Sequence, residues 1–207
     1  VWPFPFFRYG LLLFSLAVLG GLAGFAPQSF DAALLSLAGS ALTWAEPLLQ
    51  AADFAGETWP SFCLAVAAVT VLWLKGFRSA ALGLVTALIL VSLASAGIKG
   101  IIDRPRPGGA DFSFVSGHTA YFTVLCGFLF HRAGELTTGR YRLPVLRGLL
   151  MAALALVGLS RLYLEAHWPS DVLGGLLLGC LVLLPILWWL DRRSPVSGEY
   201  IGEETYA

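Results

Sequence analysis

Long apolar runs separated by short polar clusters dominate the chain, and six of the runs are of membrane size. Residues 9–26 are almost wholly apolar, enough at about 1.5 Å per residue to cross a hydrocarbon core of about 30 Å. The lead-in Trp2-Pro3-Phe4-Pro5-Phe6-Phe7 suits the headgroup layer, where amphipathic rings collect, and Arg8 marks its inner edge. A cleaved leader is the competing reading of this stretch, with Gly24-Phe25-Ala26 as a poor cleavage site. Residues 59–74 make a second span, closed by Lys75 and Arg78, and residues 80–98 a third, with Lys99 where it emerges. Pro105, Pro107 and Gly108-Gly109 break the chain over 100–115 into a surface loop. Ser116 then supplies an N-cap for a fourth span to about residue 130. After a basic loop over 131–144, residues 145–163 form a fifth span. Pro169, tolerated in a first helical turn, starts a sixth that ends at Trp188-Trp189-Leu190.

Residues 27–57 break the pattern. Asp31, Glu46, Asp53 and Glu57 are spread among apolar residues and Pro47 interrupts the run, which predicts a helical segment lying along the membrane surface. The expected fold is therefore all-α: a polytopic membrane protein of six transmembrane helices, with a surface helical segment between the first two. Residues 1–193 form a single domain, and 194–207, with Glu199, Glu203 and Glu204, a loosely ordered polar tail. Gly20 and Gly24, and Gly175 and Gly179, read as close helix-packing positions.

Composition strengthens the membrane assignment. Of 207 residues, 57% are hydrophobic and only 13% charged, and the mean hydropathy is +0.78, whereas soluble domains carry about 25% charged residues. Formal net charge is zero, so nothing points to a nucleic-acid partner. Cys63, Cys126 and Cys180 lie singly inside apolar runs without metal-ligand spacing and read as buried thiols. The distribution of charge orients the chain. With six spans, Arg8, Lys75, Arg78, Arg132, Arg140, Arg142, Arg147, Arg192 and Arg193 share one side, cytoplasmic by the positive-inside rule, together with both termini. Lys99, Arg104, Arg106 and Arg161 fall on the other, extracytoplasmic side.

Those exceptions sit within the one stretch, 99–171, where the polar chemistry gathers. Its first group is Lys99 and, after six residues, Arg106-Pro107; its second is Phe114-Val115-Ser116-Gly117-His118; its third is Ser160-Arg161, then His167 and Asp171. Cations, two imidazoles, a carboxylate and a Ser-Gly turn with free N–H groups suit a phosphate attacked by one histidine and released with help from another. Arg104 and Asp103, beside the first group, read as a surface pair, with contact to a substrate headgroup as the alternative, Glu165 likewise, and His131 as an ordinary loop histidine on the opposite face.

Read together, the three groups resemble the type 2 phosphatidic acid phosphatase superfamily, which includes lipid phosphate phosphatases and soluble vanadium haloperoxidases. The likeness covers residues 99–171 by motif and the six-span plan by layout. One position departs: Val115 stands where the family usually has Pro before Ser-Gly-His. The resemblance implies that His167 is the nucleophile forming a phosphohistidine, oriented by Asp171, and that His118 is general acid and then general base. It implies a phosphate clamp of Lys99, Arg106, Arg161, the Ser116 hydroxyl and the Gly117 N–H. With Lys and Arg neutralising the phosphate, no metal and no cofactor is expected. An unprotonated His167 beside a protonated His118 predicts a bell-shaped pH profile. The expected activity is hydrolysis of a lipid phosphomonoester or diphosphate, such as phosphatidylglycerol phosphate, phosphatidic acid or undecaprenyl diphosphate, at the outer face of a bacterial cytoplasmic membrane. A lipid A phosphatase or lipid phosphotransferase is the alternative within the family, and a non-catalytic transporter or scaffold the alternative from another class. No oligomeric state is assigned.

Overall fold

The computed structural model describes residues 6–24, 29–109, 113–137 and 139–193, and among these the chain is all-helical. In order come α1 (Phe6–Gly24), α2 (Ser29–Ala41), a 3-10 turn (Thr43–Ala45), α3 (Glu46–Gly56), α4 (Thr58–Leu74), α5 (Arg78–Ile101), α6 (Gly117–His131), the single-turn α7 (Ala133–Leu136), α8 (Arg142–Tyr163) and α9 (Pro169–Arg193). The polar tail from residue 194 lies outside the described residues. By length and composition α5, α8 and α9 qualify as membrane spans, while α1, over Tyr9–Ala23, and α4 are shorter apolar helices. The chain is a multi-span membrane protein. The shortest of the expected spans is α6, cut to 15 residues by the Ser116 cap at one end and the Arg132 break at the other.

Helix α6 is the axis of the fold. It packs against α5, α8 and α9, with α1 against α9 and α4 against α5. Lipid tails are as apolar as the side chains, so close backbone approach rather than hydrophobicity must hold such helices together. Glycines of α9 provide it: a Cβ at Gly175 would lie 2.6 Å from the Ser116 carbonyl oxygen, and one at Gly179 would lie 2.5 Å from Thr123 Cβ. The pair singled out in the sequence is therefore a contact surface for α6. Around it Leu84, Val91, Val124, Phe128 and Leu190 form the buried apolar core.

Helices α6 and α9 start together and end together. At one end His131 Nε2 stands 3.0 Å from Asp191 and Arg132 3.2 Å from the same carboxylate, joining the end of α6 to the end of α9. Arg147 of α8 donates to the Phe130 carbonyl there, and Arg192 and Arg193 lie over Trp188 and Trp189 at 3.9 and 4.0 Å. Basic and aromatic residues thus gather at this end, and His131, expected as an ordinary loop histidine, is instead the last residue of α6 and pairs with Asp191. Lys99, His118, Arg161 and His167 occupy the opposite ends of α5, α6 and α8 and the turn into α9.

The 27–57 segment is interrupted, as Pro47 implied, but the break comes a few residues earlier: α2 and α3 meet at a 59° bend across the 3-10 turn, and Pro47 sits in the first turn of α3. The segment's beginning and end nevertheless reach the same polar cluster, as described below, so it straps across one end of the bundle. Cys63 is exposed rather than buried, while Cys126 is buried and Cys180 intermediate, and all three are free thiols. The reason is position: α4 packs mainly on α5 and α3, and Phe62, Leu64 and Val66 around Cys63 are exposed as well.

Candidate active site

The turn from α8 into α9 builds the first half of the site. Arg161, in the last turn of α8, accepts through its backbone carbonyl the N–H groups of Ala166 and His167, at 3.0 and 3.2 Å. Helix α9 then opens with a reciprocal cap: Pro169 takes the first helical position, and the Asp171 Oδ2 reaches back to the Trp168 N–H at 2.8 Å. That cap aims the carboxylate at His167, whose Nδ1 stands 3.6 Å from Asp171 Oδ2. His167 and Asp171 are 2% and 0% exposed. The contact between them comes from the turn, as the intervening Trp168-Pro169 required. Burial lowers the basicity of His167 and the charges of Lys99 and Arg106 act in the same direction, while Asp171 pulls it back up.

The loop from α5 to α6 supplies the second half. Ser116 is the N-cap of α6, accepting the Thr119 N–H at 3.4 Å. Its hydroxyl lies 3.0 Å from the Thr119 hydroxyl and is fully buried, so it caps the helix and meets a second hydroxyl within the first turn. Its N–H donates to the Asp171 carbonyl at 3.0 Å, which ties the Ser-Gly-His turn to the His-Asp turn. The Phe114–Val115 peptide, where the usual Pro is missing, is cis. Gly117 sits against the ammonium of Lys99: a Cβ there would be 3.7 Å from Lys99 Nζ and 3.2 Å from Ser95 Oγ. A side chain at 117 would fill the corner between α5 and α6.

Lys99, Gly117 and His118 line a cavity of about 430 Å³ together with Gly56, Thr58 and Tyr121. His167, Arg106 and Arg161 are not part of that lining. His118 lies within electrostatic reach of His167, Lys99 and Arg106, so the three sequence groups do meet at one end of the bundle. Arg106 holds its buried Nε without a partner, the kind of orphaned donor an anionic ligand satisfies. Arg161 faces Asp53 of α3 in an ion pair. Gly56, at the end of α3, abuts His118: a Cβ there would be 2.7 Å from the imidazole Cδ2.

Arg104 corrects the sequence reading. It is 2% exposed and pairs not with Asp103 but with two distant carboxylates, Asp31 and Asp171, each at 2.7 Å. Ser113 was also missed; its hydroxyl donates to Asp171 Oδ2 and lies 3.5 Å from His167 Nδ1. Ser170 joins them, receiving Arg104 and donating to Asp31. The signal that could have exposed these residues was the run Asp103-Arg104-Pro105-Arg106, where two arginines so close together on an apolar chain imply two anionic partners. Glu165 is exposed, and it contributes only its backbone carbonyl, which the Gly108 N–H reaches at 3.3 Å.

Comparison with known proteins adds an independent line. The family model of the PAP2 superfamily matches residues 80–195. Phosphatidylglycerophosphatase B of Bacillus subtilis (strain 168) is 35% identical over 41% of this chain and 45% of its own length. The provisionally named undecaprenyl-diphosphatase YbjG of Escherichia coli (strain K12) is 42% identical over 38% of this chain and 36% of its own. The aligned stretch thus spans less than half of each of these relatives. Among solved structures, a transmembrane PAP2-type phosphatidylglycerolphosphate phosphatase from Bacillus subtilis superposes with a TM-score of 0.74 at 20% identity, covering 92% of this chain and 99% of that one. LpxE of Aquifex aeolicus gives 0.60 at 21% identity, with 78% and 97% covered. At those identities the structures speak for the fold.

Proposed function

This chain belongs to the PAP2 superfamily, and from that membership and the geometry of the site we propose that it is a membrane phosphatase acting on a lipid phosphomonoester or diphosphate through a phosphohistidine. The observation that carries the reading is the meeting of His167, held against Asp171, with the cations Lys99 and Arg106 and a second histidine at one end of an apolar bundle.

In the first step the Nε2 lone pair of His167 attacks phosphorus while Asp171 stabilises the Nδ1 proton and the growing imidazolium charge. The phosphorus–oxygen bond to the leaving group breaks, and His118 gives its proton to the departing oxygen. A water then attacks the phosphoryl group, its proton passing to His118. The phosphorus–nitrogen bond returns its electron pair to His167, and both histidines regain their starting states. Lys99, Arg106 and Arg161, the last exchanging Asp53 for the phosphate, neutralise the phosphoryl oxygens, with the Ser116 hydroxyl and the Gly117 N–H as further donors.

The cavity supports a lipid substrate. It shares Phe62, Ser92 and Tyr121 with an apolar groove of about 490 Å³ between α4 and α5, so a headgroup beside Lys99 leaves room for its chain along these helices. The proposed topology is six spans, α1, α4, α5, α6, α8 and α9, with the α2–α3 strap on the extracytoplasmic face and both termini in the cytoplasm. The basic, aromatic end around Arg147, Arg192 and Arg193 supports that orientation. The substrates it fits are phosphatidylglycerol phosphate, phosphatidic acid and undecaprenyl diphosphate.

The test is phosphate release by purified protein in lipid nanodiscs across those three lipids and lipid A, with His167→Ala as the blank. Release from at least one lipid, abolished in H167A, is expected. No release from any of them, or release that survives in H167A, overturns the reading.

A further inference from the structure

Asp31 lies far from the motif stretch in sequence and in a segment expected to be merely superficial, yet it is 2% exposed. Both of its oxygens are committed to the start of α9 and to Arg104. Oδ1 accepts the Ser170 N–H at 2.9 Å, and Oδ2 accepts the Ser170 hydroxyl at 2.6 Å and Arg104 NH2 at 2.7 Å. The other terminal nitrogen of Arg104, NH1, holds Asp171 Oδ1 and the Ser170 hydroxyl, each at 2.7 Å. The result is a buried row of alternating charge: Asp31, Arg104, Asp171, then the His167 ring. Trp168 closes one side, its ring 5.5 Å from the Arg104 guanidinium and its Nε1 donating to the Pro105 carbonyl at 2.9 Å.

A buried guanidinium with only one carboxylate would draw on that carboxylate alone. Here a second carboxylate shares it. We propose that Asp31 is a positioning residue of the site: by taking half of Arg104 it sets how much of the Asp171 charge remains for His167, and it fixes the turn that carries both. The inference rests on the reading of His167 as the nucleophile.

The sign follows from counting charges around the ring. Lys99 of α5, Arg106 of the loop and His118 of α6 lie within electrostatic reach of His167, and Asp171 of α9 stands 3.6 Å from its Nδ1. Arg161 of α8 lends its backbone carbonyl, its guanidinium being directed to Asp53 of α3. Neutralising Asp31 removes one negative charge from this set and leaves Arg104 to act on Asp171 undivided. Protonated His167 is then less favoured, and its titration midpoint falls. One charge at roughly 10 Å, in an effective dielectric of about 20, moves it by about one pH unit.

The experiment is an NMR titration of ring-labelled histidine in the full chain in nanodiscs, for the native protein, Asp31→Asn and Asp31→Glu. The chain has three histidines, His167 is assigned by its loss in H167A, and His131 at the opposite end reports that the fold is intact. Expected is a His167 midpoint about one unit lower in D31N and near the native value in D31E, with His131 unmoved. A D31N protein whose His131 is native and whose His167 midpoint moves by less than about 0.2 units, or upward, overturns the proposal. Should D31N not fold, Asp31→Ser, which also removes the charge, is titrated in its place: a His167 midpoint about one unit lower supports the proposal, and an unmoved one overturns it. The titration needs no substrate, so it is separate from the phosphate-release test, which alone decides whether His167 is a nucleophile.

Discussion

Replacing Gly175 by Ala tests the link between packing and chemistry. The added Cβ would stand 2.6 Å from the Ser116 carbonyl, 3.0 Å from Thr119 Cβ and 3.2 Å from the Ala120 nitrogen, against about 3.4 Å for ordinary contact. All three neighbours belong to the cap and first turn of α6, which cannot swing aside as a flexible side chain could. The helices must part by several tenths of an ångström, up to about 0.8 Å at the carbonyl. Overpacking of that kind costs about 1–3 kcal/mol, so the protein still folds. The displacement, however, falls on the Ser116 N–H to Asp171 carbonyl bond, at 3.0 Å, which joins the turn of His118 to the turn of His167. A misplacement near 1 Å costs on the order of 100-fold in rate, so G175A should lower kcat by about 10- to 100-fold in the phosphate-release assay, with a modest fall in Tm. Gly179→Ala is the control. Its Cβ would meet Thr123 at 2.5 Å, one turn deeper, so a similar loss of stability should come with a smaller loss of turnover. A folded G175A enzyme within twofold of native kcat would refute the reasoning.

Other outcomes follow from the same geometry. Arg106→Ala removes a donor to transition-state charge, typically worth about 2.7–4 kcal/mol, and should cut turnover on the order of 100-fold or more at unchanged expression; near-normal turnover removes Arg106 from the clamp. Arg104→Ala strands two buried carboxylates, and breaking one buried pair costs about 3–5 kcal/mol. Thermal unfolding in detergent should therefore show at least that loss, and a change under about 1 kcal/mol would contradict the charge row. His167 attacks as the neutral ring, the form present above its pKa and lost as pH falls. Since burial, Lys99 and Arg106 push that pKa below the usual 6.5, the acidic limb of kcat/KM should lie below pH 6.5; a limb above pH 7 would mean that the ring is not buried as described.

The motif residues were legible because they are polar residues in short runs on an apolar chain, where each needs a reason to exist. Lys99, Gly117 and His118 line one cavity, and the turn joins His167 to Asp171. Asp31 was not legible. A carboxylate in a mildly polar helix looks solvated, and only the tertiary path that brings α2 onto the start of α9 buries it against Arg104, 73 positions away. Ser113 and Ser170 were hidden for the same reason: a hydroxyl beside Pro or Phe reads as turn chemistry until a carboxylate is placed next to it. Ser116 shows the converse. Its N-cap role is local and readable from the residues that follow, and the cap itself directs its hydroxyl to Thr119.

The central claim is a covalent bond between phosphorus and residue 167, and rapid acid-free quenching of the protein during turnover of a radiolabelled lipid phosphate tests it most directly. The account predicts label on the peptide containing His167, stable in alkali, released by mild acid and absent from H167A. Label on His118, or full turnover with no protein-bound phosphate at any quench time, would contradict it.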